Sequence, residues 1–307
     1  MTWRNKMRSL LALAGLAIGS VLARSFVVIV MLASNLNASP LHPSATRQDP
    51  FDLQVFTLDS QGIRTKTVYY SYDQLLTLPT VTVKTECDPN INTPATYTGV
   101  YISDLFEAFG ADASFDVIGA NSVGYYKQYY DRDYLARHRP ILLLKLDGKP
   151  PADWPTTEHA DGKVTHEGWL GPYCVVHDSF SPAETVYGYV EEPRNVCGVV
   201  SLELTNFTQS LGRLTPKKGG NDPEVVKGQK IAVGSCISCH KLGNVGGKQA
   251  SWGALAASVV ISKDNFKKKV TNPQSVNPTS HMPPHPTFDD KTFNALEAYC
   301  KAMMPTE

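Results

Sequence analysis

Cys236-Ile237-Ser238-Cys239-His240 is the run around which this 307-residue chain is organised. Two thiols three positions apart lie one helical turn from each other, and an imidazole follows directly. That spacing is the attachment pattern of a c-type haem, in which the thiols bond the vinyl groups and the imidazole is held under the iron. A dithiol redox pair calls for a βαβ setting and a zinc site for further Cys or His at ligand spacing, and neither accompanies the run.

The flanks read as helices. Asp222 can cap a helix that starts at Pro223 and runs through Gly228 toward Cys236, and Phe293, Leu296, Tyr299, Cys300 and Met303 form one apolar stripe on a second helix from Asp290 to about Met303. Cys300 then reads as core. From Pro223 onward the chain resembles class I cytochrome c, which implies an all-α fold over residues 223–307. The resemblance further implies that Gly228 lets the first helix cross closely over the last, and that Met282 is the second axial ligand beside His240.

Met282 stands between Ser280-His281 and Pro283-Pro284, prolines that stiffen the loop presenting it. A soft thioether favours ferrous iron. His281 and His285 are rivals by position, Met303 and Met304 by type. The family often places Gly-Pro where the carbonyl acceptor for the histidine sits, whereas this chain has Gly246-Gly247. Two filled axial positions leave one-electron transfer rather than peroxidase or ligand-sensing chemistry.

Lys and Arg number 29 and Asp and Glu 29, so no basic footprint suggests nucleic acid. At this length about two domains are expected. Residues 1–38 read as a signal peptide or N-terminal anchor: Arg4, Lys6 and Arg8 precede the apolar run from Leu10 to Ala23, and a second run follows from Phe26 to Ala33. Either reading directs the bulk of the chain to the periplasm. Of the six cysteines, Cys87, Cys174, Cys197 and Cys300 lie outside the motif, and their pairing is not readable.

Between residues 50 and 207 the pattern is rich in strands. Phe51 to Leu58, Thr65 to Ser71 and Val81 to Thr85 alternate; Tyr72 to Leu76 is a helical turn; Ile141 to Leu146 is a buried strand closed by the turn Asp147-Gly148-Lys149-Pro150. Ser103 is expected to cap a helix bearing Leu105, Phe106 and Phe109. The ordered set Gly99-Val100, Gly124-Tyr125-Tyr126, Leu143 to Pro150, Gly171-Pro172 with Val175-Val176, and Val199 to Thr205 resembles the molybdopterin-binding domain of the sulfite oxidase family. That resemblance implies an α+β fold, a mixed sheet curled into a barrel-like core, and places Cys87 where the family's molybdenum-ligating thiolate lies. The only dense cationic run is Arg137-His138-Arg139. Molybdenum cofactor also enters folded protein before export, whereas a haem c part crosses unfolded, and Arg4 and Arg8 are not the adjacent pair of a folded-export signal.

Tyr125, Tyr126, Tyr129, Tyr130 and Tyr134 read as packing residues, or as an electron path toward the motif. His159, His166 and His177 lack ligand spacing and read as solvated or core. Lys241, Lys248, Lys263, Lys267, Lys268 and Lys269 read as a solvated face able to steer an acidic partner. Residues 208–222 read as a flexible linker. The expectation is an exported electron carrier with one haem c, serving a periplasmic or membrane redox protein, its first domain docking a partner or binding a ligand without a cofactor of its own. The alternative is a molybdenum-dependent, sulfite dehydrogenase-like enzyme with Cys87 on the metal and the haem as electron acceptor.

Overall fold

The chain opens with strand β1 (Leu53–Leu58), β2 (Arg64–Tyr70), a helical turn α1 (Tyr72–Leu75), β3 (Val81–Thr85) and β4 (Ala95–Tyr101). A four-residue helix α2 (Leu105–Ala108), β5 (Val117–Ser122), β6 (Lys127–Asp131), α3 (Arg132–His138) and β7 (Ile141–Leu146) follow. Then come β8 (Thr156–Glu158), β9 (Val164–Trp169), β10 (Cys174–Val176), β11 (Thr185–Val186), β12 (Tyr189–Val190), β13 (Val196–Cys197) and β14 (Val199–Thr205). The structure is a computed structural model and describes residues 41–304 except 60, 86–93, 125, 155, 159–163 and 217. The signal or anchor of residues 1–38 falls outside them. Among the described residues no helix is long and apolar enough to cross a membrane.

Two five-stranded sheets result, ordered β2-β1-β14-β5-β6 and β13-β10-β7-β4-β3. β1 and β14 pair in parallel, with Val55 opposite Leu202, while the other neighbours in both sheets are antiparallel. Period-two alternation sends Val55, Ile118, Tyr130 and Leu202 of the first sheet into one core with Val100, Leu142, Leu144 and Val175 of the second. β7 is buried on both faces, since Ile141 and Leu143 enter a second cluster with Tyr97 and Trp154. Asp147 and Gly148, both at positive φ, make the tight turn expected after it. The helix expected from Ser103 is a 3₁₀ turn over Ile102–Asp104 that continues as the short α2, and the Ser103 hydroxyl donates to Asp104 instead of capping it.

The third face matters most for function. Val117 and Tyr129, which point away from the first core, meet Leu211, Leu214, Ile237 and Val245 in a further cluster. Leu211 and Leu214 belong to a 3₁₀ turn within the stretch expected to be a flexible linker, and both are buried. The described residues fall within one compact unit.

The C-terminal part consists of α4 (Pro223–Ser235), β15 (His240–Leu242), β16 (Val245–Gly246), β17 (Gln249–Ser251), α5 (Trp252–Ile261), α6 (Lys263–Thr271), α7 (Pro273–Val276) and α8 (Asp290–Met303). This overturns the expected fold class, an α+β part with one barrel-like sheet followed by an all-α part. Two separate sheets face each other, and residues 240–251 form a three-stranded sheet ordered β16-β15-β17. The physical reason lies in the motif's own backbone: Gly247 N–H donates to the Ile237 carbonyl and Gln249 N–H to that of Cys239, which pulls the following chain into strands.

Candidate functional site

α4 delivers the motif. Asp222 accepts the Glu224 N–H at its N-terminus and Pro223 occupies the first turn, as expected. Cys236 caps its C-terminal end, so both thiols sit at the end of the helix that disfavours a thiolate. Burial pushes the Cys236 thiol up to about 12, with Cys300 and Cys239 adding, and raises Cys239. Neither thiol is in a disulfide. This is the reverse of the electropositive setting that activates a redox dithiol.

His240 begins β15. Its Nδ1–H donates to the Ala250 carbonyl at 3.0 Å, which leaves Nε2 carrying a lone pair. Burial lowers the pKa of the ring, and the Lys269 charge acts in the same direction. The acceptor is thus Ala250 rather than the Gly246-Gly247 pair. Gly246 instead makes room for the backbone around it. At φ +88° it lies against the His240 and Ile237 carbonyls with no space for a Cβ.

Met282 is half-buried and packs, with Cys236 and Leu242, on the cluster of Trp252, Phe293, Leu296 and Tyr299. Gln274 Nε2 donates to the Ser280 and Met282 carbonyls at 3.1 and 3.4 Å, holding the loop. Of its rivals, His281 is exposed, His285 stacks on Phe288 with ring centroids 4.8 Å apart, Met303 joins the same cluster and Met304 is exposed. Cys300 is buried in that cluster, in keeping with a core role. Trp252 Nε1 is buried and has no hydrogen-bond partner among the described residues, a donor waiting for an acceptor. Cys87 lies outside the described residues, and among those described no group of three or more His, Cys, Asp or Glu is placed to hold a metal ion.

The motif rests on the first sheet. Lys127 N–H donates to the Ser238 carbonyl at 2.9 Å, Gly246 N–H to the Tyr129 hydroxyl at 3.2 Å, and Lys248 Nζ to the Gly124 carbonyl at 3.1 Å. Beneath it Lys127 Nζ meets Glu203 at 2.6 Å with both side chains buried. The hairpin β11–β12 grips the other side: Tyr187 donates to Glu224 at 2.7 Å, Gly188 N–H to Thr292 at 2.9 Å, and Tyr189 packs against Gly234 so closely that a Cβ there has no room. Nothing in the sequence marked this hairpin, because strands of two residues carry no period.

The cationic run is engaged internally. Arg137 and His138 both meet Glu191, and Arg139 lies over the Tyr101 ring at 4.1 Å. A cavity of about 580 Å³ opens between α3 and α4, lined by Arg132, Arg137, Arg194 and Lys230 against Asp131 and Glu191. Lys263 and Lys267 pair with Glu297 and Asp290. Tyr129, Tyr130 and Tyr134 are buried, while Tyr125, His159 and the side chain of His166 fall outside the described residues. His177 is a hydrogen-bonded core residue.

No family model matches the chain, and no curated protein matches it. Among solved structures, the crystal structure of the sulfane dehydrogenase SoxCD from Paracoccus pantotrophus is similar at 15% identity and a TM-score of 0.32, over 53% of this chain. The matched region spans 40% of that chain.

Proposed function

We propose that this chain is an exported one-electron carrier with one haem c bound through Cys236 and Cys239. The reading is carried by the bond from His240 Nδ1 to Ala250, which fixes the tautomer that presents Nε2 to a metal directly after two free thiols. The residues fit the group: Cys236 and Met282 line one apolar cluster, and the unpartnered Trp252 Nε1 gives that cluster a donor for a carboxylate-bearing ligand. Bound haem c supplies a single-electron iron couple. His240 and Met282 would hold its iron, the Ala250 carbonyl would orient His240, and the surrounding apolar side chains would exclude water.

Export is supported by the Cys174–Cys197 disulfide that joins β10 to β13, a bond that persists in oxidising compartments such as the periplasm. The two sheets then serve as the platform that fixes the carrier part and meets a periplasmic or membrane redox partner. The molybdenum to iron ratio of protein purified from its native host, with a pyridine haemochrome spectrum of the same sample, tests the reading. One c-type haem with negligible molybdenum is expected. Haem-free protein overturns the carrier, and molybdenum near one per haem replaces it with the Cys87 enzyme.

A further inference from the structure

The segment from Asn244 to Lys248 is stitched to the first sheet at every second residue. Asn244 Nδ2 donates to the Gly62 carbonyl at 3.4 Å, Gly246 N–H to the Tyr129 hydroxyl at 3.2 Å, and Lys248 Nζ to the Gly124 carbonyl at 3.1 Å. Gly62 lies in the β1–β2 turn, Tyr129 on β6 and Gly124 in the β5–β6 turn, so the anchors come from both sides of the sheet. Val245, between two of them, is buried in one cluster with Val117 and Tyr129.

The anchors matter because the strands they hold are too short to hold themselves. β15, β16 and β17 have three, two and three residues, and strands of that length are marginal in water without outside support. Gly246 pairs with Lys241 and lies against the His240 carbonyl with no space for a Cβ. His240 pairs with Gln249, and the next residue, Ala250, supplies the carbonyl that accepts its Nδ1–H at 3.0 Å. The bond that orients the imidazole therefore ends on a strand fixed from the other part of the molecule. Tyr129 is fixed in turn. It is 2% exposed, its carbonyl accepts Arg194 Nη1–H at 2.7 Å, and Lys127 Nζ stands 4.6 Å from its ring centre. A Cβ on Gly119 would come within 3.2 Å of ring carbon Cε1, so the glycine lets the ring lie flat on β5.

We infer that the first sheet completes the histidine side of the motif, with Tyr129 as a positioning residue that sets how firmly His240 is bonded to Ala250. The geometry stands alone; its redox consequence rests on the haem reading. A hydrogen bond from Nδ1–H raises the basicity of Nε2, and a more basic imidazole favours ferric over ferrous iron. The two-sheet part thus holds the carrier's potential down through a chain of contacts, a task that calls on its backbone and one phenol.

Two measurements on the full chain test this. The first follows the haem-free protein, carrying isotope-labelled histidine, by nuclear magnetic resonance in mildly alkaline buffer, with the His240 signals assigned by their loss in His240→Gln. In wild type the proton sits on Nδ1. Tyr129→Phe keeps the buried ring and loses the hydroxyl, and the Nε2–H tautomer gains population. Asn244→Ala, at an exposed position, moves the balance the same way by less. Tyr69→Phe removes a phenol bonded to Gln54 of the same sheet and leaves it unmoved. The second measurement, spectroelectrochemistry of haem-loaded protein, reads an upward shift of the midpoint potential in Tyr129→Phe and none in Tyr69→Phe. An unchanged tautomer balance in Tyr129→Phe overturns the proposal, and so does a shifted balance with an unmoved potential. Native protein without haem is the separate failure of the carrier reading, and the tautomer measurement then still decides whether Tyr129 positions His240.

Discussion

Gly228 of α4 lies against the carbonyl of Ala295 in α8 with no space for a Cβ between them. The two helices meet at backbone distance, and both belong to the cluster on which Cys236 and Met282 pack. Gly228→Ala gains about 1 kcal/mol of helix propensity. It loses about 1–3 kcal/mol through overpacking, at the upper end here because the obstacle is backbone. A lower melting temperature in calorimetry is the expected outcome, and an unchanged one would show that the helices can part.

If Met282 holds the haem iron as proposed, replacing it by Ala in haem-loaded protein removes that soft ligand while leaving both thiols and His240 in place. The haem stays covalently bound, its midpoint potential falls, and it acquires an open coordination position that binds added imidazole. Spectroelectrochemistry reads the first effect and an optical titration the second. His281→Ala, by contrast, is expected to leave the potential where it was.

Lys127 and Glu203 are a buried ion pair directly under the motif. Lys127→Met strands the carboxylate and is expected to destabilise the chain by about 3–5 kcal/mol. Lys127→Met combined with Glu203→Leu restores most of that, because no charge is left without a partner. Urea unfolding of the four proteins of the cycle measures the coupling, and simple additivity would refute it.

Acid sensitivity follows from His177. Its folded pKa is pulled to about 4 from an ordinary 6.5, first by burial. Between those values the unfolded chain binds a proton that the folded one refuses, so stability is complete above about pH 6.5 and declines as the pH falls toward 4. The full effect of this one group is roughly 3 kcal/mol. Burial also lowers His138 and His285, which act with the same sign. Denaturant midpoints from pH 7 to 4.5 are expected to fall, with a shallower slope in His177→Gln.

What could be read from residues alone divides along physical lines. α4 and α8 were legible because caps, a first-turn proline and a long apolar stripe are local signals, while the Gly228 crossing came from the resemblance to class I cytochrome c. β7 and its turn were equally plain. The all-α expectation failed at residues 240–251, where strands of two or three residues arise from backbone bonds to Ile237 and Cys239 and leave no pattern. Ala250 as the acceptor for His240 was invisible for the same reason, since a carbonyl has no residue type. Tyr129 could be read as a packing residue, but not that its hydroxyl holds Gly246, a contact that exists only once two distant segments meet.

The parallel pairing of β1 with β14 also governs how the molecule comes into being. The first strand of the sandwich has its inner neighbour supplied by the last, so during synthesis β1 waits with one edge open until Thr205 has emerged. The motif's resting place on β5 and β6 does not exist before then either, because β14 is what joins β5 to β1. Thr205 precedes Cys236 in the chain, so the sandwich and its platform can close before Cys236 and Cys239 have emerged. Closure of the sandwich and docking of the motif are set in that order, and the open edge of β1 is at risk over the whole interval before β14 arrives.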